Sequence, residues 1–311
     1  MTWIKTSGAA TLLILACFLA DAPQGRAQDE WGGLDDGYQA EEYFPEEFSD
    51  DYADEAGEAP PLDLESANTS LKEAENQFER QRYSTAAELA ALAATHFGSL
   101  AQTDPDLYRP RQMAGLVLQI RSLRKFGELD EAKKAADALA ARLKPLAAKQ
   151  EAIYLPYLAE ASHELAEILY DRREPPSRAP RILDHRRTAA AAWRDLSLKE
   201  PDKYWEAWEE ELELMLLDSR EFGLDGEKQK ILTELIRASR WMAGERPETH
   251  RPVLAENLVA HGEELALMGQ SAAGRAAIED GIKVYRQLEQ ESPGEYARKL
   301  SEAEYILTTL P

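Results

Sequence analysis

The chain has 311 residues, with 58 Asp or Glu against 36 Lys or Arg, and a formal net charge of −22. Such an excess of negative charge argues against binding to nucleic acid, whose phosphates are themselves negative. Single hydrophobic cores stop growing at about 250–300 residues, so this length favours several domains or a repeat array.

The first 27 residues have the layout of a secretory signal. Lys5 supplies a basic start, and an apolar stretch runs from residue 8 to residue 20. This stretch is shorter than the roughly 20 residues that span a bilayer, so we expect a cleaved signal and no transmembrane span. Cleavage after Ala27 would release a protein exported to the periplasm or the medium.

The only cysteine of the chain, Cys17, lies inside this apolar stretch. Residues 14–17 weakly resemble a lipoprotein cleavage box, but the bulky Leu15 and the apolar residues after Cys17 argue against lipidation. The mature chain then has no thiol, which excludes disulfides and cysteine metal ligands.

Residues 28–67 form an acidic tail. All fifteen acids between residues 28 and 71 stand without a single Lys or Arg, and no helical apolar period is present. Such a segment repels itself and buries too little surface to offset its ordering entropy, so the tail is predicted to be disordered. Its spaced aromatic residues leave two interpretations open: a solvating spacer, or a segment that docks onto basic patches of the protein's own body.

Beyond the tail, the sequence repeats with a period of 46 residues. Three prolines and two glycines show this spacing: Pro201, Pro247, Pro293, Gly223 and Gly269. The gap from Gly127 to Gly223 is 96 residues, which requires an insertion of four residues between two units. The proline-bearing run at residues 174–180 is the expected place.

Each period predicts two amphipathic helices joined by a tight turn. In the last full unit, apolar residues recur at helical spacing from Leu254 to Leu265, Gly269 breaks the pattern, and a second apolar series follows from Ala277 to Leu288. The sequence therefore predicts an all-α chain of about five antiparallel hairpins, beginning near residues 68, 109, 154, 204 and 250. A closing helix is predicted at residues 294–310.

The unit at residues 269–288 is similar to the tetratricopeptide repeat family, in its long-helix variety. Gly262, Gly274 and Gly281 stand where that family places small residues, so that its two helices pack closely. The resemblance implies an α-solenoid over residues 68–311 whose first helices line a concave groove for a protein or peptide partner. The central units depart from the family pattern, and another solenoid of helical hairpins stays open as the alternative.

No residue pattern in the chain predicts an enzyme or a cofactor. The run from His163 to Glu167 is one histidine short of a two-histidine zinc helix, and two ligands do not make a site. The remaining histidines have no serine or carboxylate at triad spacing. We therefore expect no catalytic residue, no metal and no cofactor.

Two groups of basic side chains are candidate binding patches in this acidic protein. The first is Arg121, Arg124 and Lys125, which face the groove if the family's register holds. The second flanks the insertion and consists of Arg178, Arg181, Arg186 and Arg187. For both groups, solvated surface residues are the competing interpretation.

These features favour an exported scaffold that binds a protein or a peptide. The alternative is a structural subunit of a bacterial envelope assembly, with no reversible ligand site.

Overall fold

The computed structural model describes residues 64–173 and 179–310; the signal and residues 28–63 of the acidic tail lie outside this part of the chain. Residues 64–67, predicted to end the disordered tail, are instead the start of the first helix. Residues 64–311 form one compact unit. The described residues contain eleven helices and no strand: α1 (Leu64–Glu79), α2 (Tyr83–Leu100), α3 (Pro105–Phe126), α4 (Leu129–Lys149), α5 (Glu151–Asp171), α6 (Ala179–Ser197), α7 (Pro201–Glu221), α8 (Asp225–Glu245), α9 (Pro247–Leu267), α10 (Ser271–Glu291) and α11 (Ala297–Thr309).

The helices form five antiparallel hairpins, and α11 closes the stack. Each helix packs against the next helix in the chain, and α3 also contacts both α1 and α5. This is a TPR-like α-solenoid, which confirms the predicted fold class. We call α1, α3, α5, α7 and α9 the first helices, and α2, α4, α6, α8 and α10 the second helices.

The hairpins begin three or four residues earlier than predicted, at residues 64, 105, 151, 201 and 247. Pro105, Pro201 and Pro247 each occupy the first turn of a helix. Proline suits this position because its fixed φ is helical and the missing N–H would have no intrahelical acceptor. The prolines therefore begin the helices rather than lying in the preceding turns.

The described residues of each hairpin turn include one with a left-handed backbone. These residues are Gln81 (φ 59°), Gly127 (φ 100°), Arg173 (φ 49°), Gly223 (φ 66°) and Gly269 (φ 83°). Consecutive members are 46 residues apart, except that Arg173 and Gly223 are 50 apart. The four extra residues thus follow Arg173, as predicted, although residues 174–178 themselves lie outside the described part.

Glycines bring the helices of the last hairpin into close contact. A Cβ atom on Gly274 would lie 2.3 Å from the carbonyl oxygen of Gly262, and one on Gly262 would lie 2.8 Å from the carbonyl oxygen of Gly274. A Cβ on Gly281 would come within 3.1 Å of the carbonyl oxygen of Ala255. The prediction that these three glycines allow close packing is confirmed.

None of the described helices has the length and apolar character needed to cross a bilayer.

Candidate functional site

A buried network of ion pairs joins the second hairpin to the third. Glu164 of α5 is 1% exposed, and it accepts hydrogen bonds from two arginines of α3. The Nε atoms of Arg121 and Arg124 lie 2.8 Å from its two carboxylate oxygens. Burial opposes ionisation of Glu164, but the two guanidinium groups outweigh burial and lower its pKa to about 2. Glu164 therefore carries its charge inside the protein.

The same arginines contact further acids of α5. Arg121 also pairs with Glu160, and Arg124 Nη1 lies 3.2 Å from Glu167 and 3.0 Å from Asp171. With Glu164 at the centre, α3 and α5 are joined along three turns of helix.

Arg186 of α6 extends the network into the fourth hairpin. Its side chain is 1% exposed, and it donates to Glu167 of α5 at 2.6 Å and to Asp218 of α7 at 3.0 Å. Its Nη1 also lies 3.3 Å from Glu211 of α7. One arginine thus bridges the third hairpin and the fourth.

His163 completes the network at the contact between α5 and α7. Its Nδ1 lies 2.7 Å from Glu211 Oε2. Burial opposes protonation of the ring, but the hydrogen bond with Glu211 outweighs burial and raises the pKa of His163. Glu164 and Glu167, the two acids of the run that is one histidine short of a zinc helix, form ion pairs with arginines. Among the described residues, no group of three His, Cys, Asp or Glu side chains could hold a metal ion.

The seven residues predicted to form basic patches differ in their exposure. Arg121, Arg124 and Arg186 are largely buried and paired with carboxylates, which corrects the expectation that they belong to exposed patches. The carboxylates of α5 and α7 account for this, because buried charges require partners. Three others, Lys125, Arg181 and Arg187, are exposed. Arg178 lies outside the described residues.

One of the exposed members, Arg187, is already paired with acids. Arg187 lies 2.6 Å from Asp184 on its own helix and 2.6 Å from Glu227 of α8. Its positive charge is therefore balanced by one acid of its own helix and one acid of the next hairpin.

Acidic residues are concentrated in the first helices of the last three hairpins. Together α5, α7 and α9 contain 17 Asp or Glu and only 3 Lys or Arg. The second helices α4, α6, α8 and α10 contain 13 acids and 16 bases. The excess of acids over bases thus lies in α5, α7 and α9, and Arg121, Arg124 and Arg186 balance part of it.

One face of α7 carries this charge at the surface. Glu206, Glu210, Glu213 and Leu217 are all exposed and are spaced by four, three and four residues, so they lie along one side of the helix. We call these four residues the acidic stripe. No described Lys or Arg forms an ion pair with its three glutamates. Burial raises the pKa of Glu210 and Glu213, and it outweighs the attraction of His163 for Glu210 and of Arg220 for Glu213.

The seam between α7 and α9 contains an unpaired histidine. His261 of α9 is 5% exposed, and its Nε2 has no hydrogen-bond partner among the described residues. The nearest carboxylate oxygen, Glu213 Oε1, is 3.6 Å away, just beyond hydrogen-bonding distance. Burial lowers the pKa of His261 to about 4, so the ring is neutral at pH 7 and does not balance Glu213.

Sequence reasoning missed both the ion-pair network and the acidic stripe. A usable signal for the network existed: Arg121 and Glu164 are 43 residues apart, as are Arg124 and Glu167, close to one repeat. Pairs at that separation lie on neighbouring first helices. The stripe could have been found from the four-three-four spacing of residues 206–217.

The sequence matches no family model, and it matches no curated protein. Among solved structures, the chain is similar to the crystal structure of a Rap protein complexed with competence and sporulation factor, with 15% sequence identity and a TM-score of 0.43. The similarity covers 78% of this chain and 65% of that chain, so this chain spans less than two thirds of that protein.

Proposed function

We propose that this protein is an exported scaffold that binds a protein or peptide partner on the exposed faces of α7 and α9, without catalysing a reaction. The observation that carries the proposal is the acidic stripe, whose glutamates form no ion pair with a described Lys or Arg. Glu256, Ala260, Glu263 and Leu267 repeat its spacing on α9, where Glu256 pairs with Lys299 of α11.

Exposed leucines mark the end of both series. Leu217 is 50% exposed and Leu267 is 70% exposed. Large apolar side chains beside charged ones are typical of surfaces that exclude water when a partner covers them. A solenoid offers such a surface as one continuous strip, because consecutive first helices lie side by side.

Export is the second part of the proposal, and it rests on the basic and apolar layout of the first 27 residues. The acidic tail that follows would then be the mature amino terminus.

A peptide-display library screened against the full chain tests the binding function. Selected peptides should bind saturably and slow the hydrogen exchange of backbone amides in α7 and α9. The exchange of amides in α2 and α4 should not change when the peptide is added. A chain that selects no peptide, and that is soluble only together with other envelope proteins, would instead support the structural-subunit alternative.

A further inference from the structure

The acidic stripe has a chemistry that selects one class of partner. Its three glutamates are exposed, and no Lys or Arg of the described residues pairs with them. The two basic residues of α7, Lys203 and Arg220, lie outside the stripe near the ends of the helix, and Arg220 is paired with Glu264 of α9. The three glutamates of the stripe therefore have no ion-pair partner among the described Lys and Arg residues.

The seam between α7 and α9, beside the stripe, contains a buried nitrogen atom without a hydrogen-bond partner among the described residues. His261 Nε2 is buried, lacks a partner and points toward Glu213, one of the stripe residues. An unpaired polar atom in such a place costs stability unless another group satisfies it. In the neutral tautomer that carries its proton on Nδ1, Nε2 can accept a hydrogen bond from an ammonium or guanidinium group held at Glu213.

We infer that the acidic stripe, together with the seam at His261, binds a Lys- or Arg-bearing segment of the partner, with an apolar side chain placed over Leu217. This inference rests on the proposed function and names the partner's chemistry. The stripe from Glu206 to Leu217 is about 16 Å long, which suits one short helical or extended segment. The protein's own tail is excluded as the occupant, because residues 28–71 contain fifteen acids and no Lys or Arg.

Three labelled peptides of about 12 residues, long enough to cover the stripe, provide the probe. One alternates Lys with Leu, and its counterparts carry Gln or Glu in place of every Lys. Fluorescence anisotropy with the full chain measures the affinity of each peptide. Because every measurement uses the full chain, the acidic tail is present in all of them. We expect the Lys peptide to bind, to weaken as salt rises, and to bind far better than the Glu peptide.

Matched variants separate the stripe from general charge attraction. The test variant carries Glu206→Gln, Glu210→Gln and Glu213→Gln. The control variant carries Glu88→Gln, Glu131→Gln and Glu279→Gln, three exposed acids on the second helices α2, α4 and α10. Both variants change the net charge equally.

The test variant should bind the Lys peptide about 10-fold or more weakly, because each exposed charge pair contributes a factor of about two to five. The control variant should bind within about twofold of the wild type. In nuclear magnetic resonance spectra, the imidazole signal of His261 should shift when the Lys peptide is added, and the signal of His96, which is buried in α2, should not.

Three outcomes would overturn the inference. Equal weakening in both variants would mean attraction to the whole acidic protein. Binding of the Gln or Glu peptide to α7 and α9, without binding of the Lys peptide, would leave the proposed function intact and remove the cationic partner. Failure of every peptide, including those from the display library, would remove the proposed function as well.

Discussion

Replacing Arg186 with methionine tests whether the buried network holds the middle of the solenoid together. The guanidinium group is 1% exposed and serves three carboxylates. Without it, Glu167 keeps Arg124 and Glu211 keeps His163. Asp218, whose side chain is 2% exposed, loses the only ion-pair partner that the described residues provide. Removing one member of a buried pair costs about 3–5 kcal/mol, and we expect Arg186→Met to lower the free energy of unfolding by that amount.

The matched control is Arg187→Met on the same helix. Arg187 is 44% exposed in its side chain and makes surface ion pairs, which contribute about 0–1 kcal/mol. Urea unfolding of the full chain, followed by circular dichroism, compares the two variants, and hydrogen exchange should show the loss of protection in α5, α6 and α7.

A second substitution identifies the cause of the destabilisation. Adding Asp218→Asn to Arg186→Met removes the buried charge and should restore about 1–3 kcal/mol. The deficit of Arg186→Met should also shrink as the pH falls toward about 4, because a protonated carboxyl needs no cation. If Arg186→Met unfolds at the same urea concentration as Arg187→Met, the network contributes no net stability and the argument fails.

Three further predictions follow from other parts of the molecule. Gly274→Ala should destabilise the chain by about 1–3 kcal/mol, because its Cβ would lie 2.3 Å from a backbone oxygen. In Gly244→Ala the new Cβ meets nothing within 4 Å, so this variant should be more stable than the wild type by up to about 1 kcal/mol. Thermal denaturation compares the two variants. The pKa of Glu164 is lowered to about 2 in the folded protein, so its ionised carboxylate stabilises the fold above the ordinary glutamate pKa. This stabilisation is lost as the pH falls through the folded pKa. Acid titration should therefore show the free energy of unfolding declining from about pH 5 toward pH 2, and less steeply in Glu164→Gln. Mass spectrometry of the exported protein should find a mature chain beginning at Gln28, and a mass that retains the first 27 residues would contradict export by signal cleavage.

The fold could be predicted from the sequence because its turns use residues with strong backbone preferences. Glycines at 127, 223 and 269 occupy left-handed positions, and prolines at 201 and 247 begin helices, so both residue types display the period directly. Gln81 and Arg173 have the same backbone conformation without being glycine, and the period was therefore invisible at those positions. The left-handed conformation at these two residues follows from the packing of the hairpins, since neither side chain favours it.

The candidate site could not be predicted in the same way. Whether an arginine is exposed depends on which side chains the next repeat places beside it, and local sequence does not contain that information. Arg121, Arg124 and Arg186 were grouped with basic neighbours along the chain, while their actual partners are acids on adjacent helices. The lack of ion-pair partners for the glutamates of the acidic stripe is likewise a property of the assembled first helices.

The network around Arg186 also makes one hairpin of this repeat protein impossible to exchange. In a solenoid built from equivalent units, a hairpin can be duplicated, deleted or transplanted, because every junction offers the same contacts. The third hairpin needs the arginines of α3 on one side and the acids of α7 on the other, so moving it would leave charged groups buried without partners. The last hairpin is packed through its own glycines and carries no comparable constraint. Changes in repeat number are therefore expected toward the carboxyl end of the chain, with the middle kept intact.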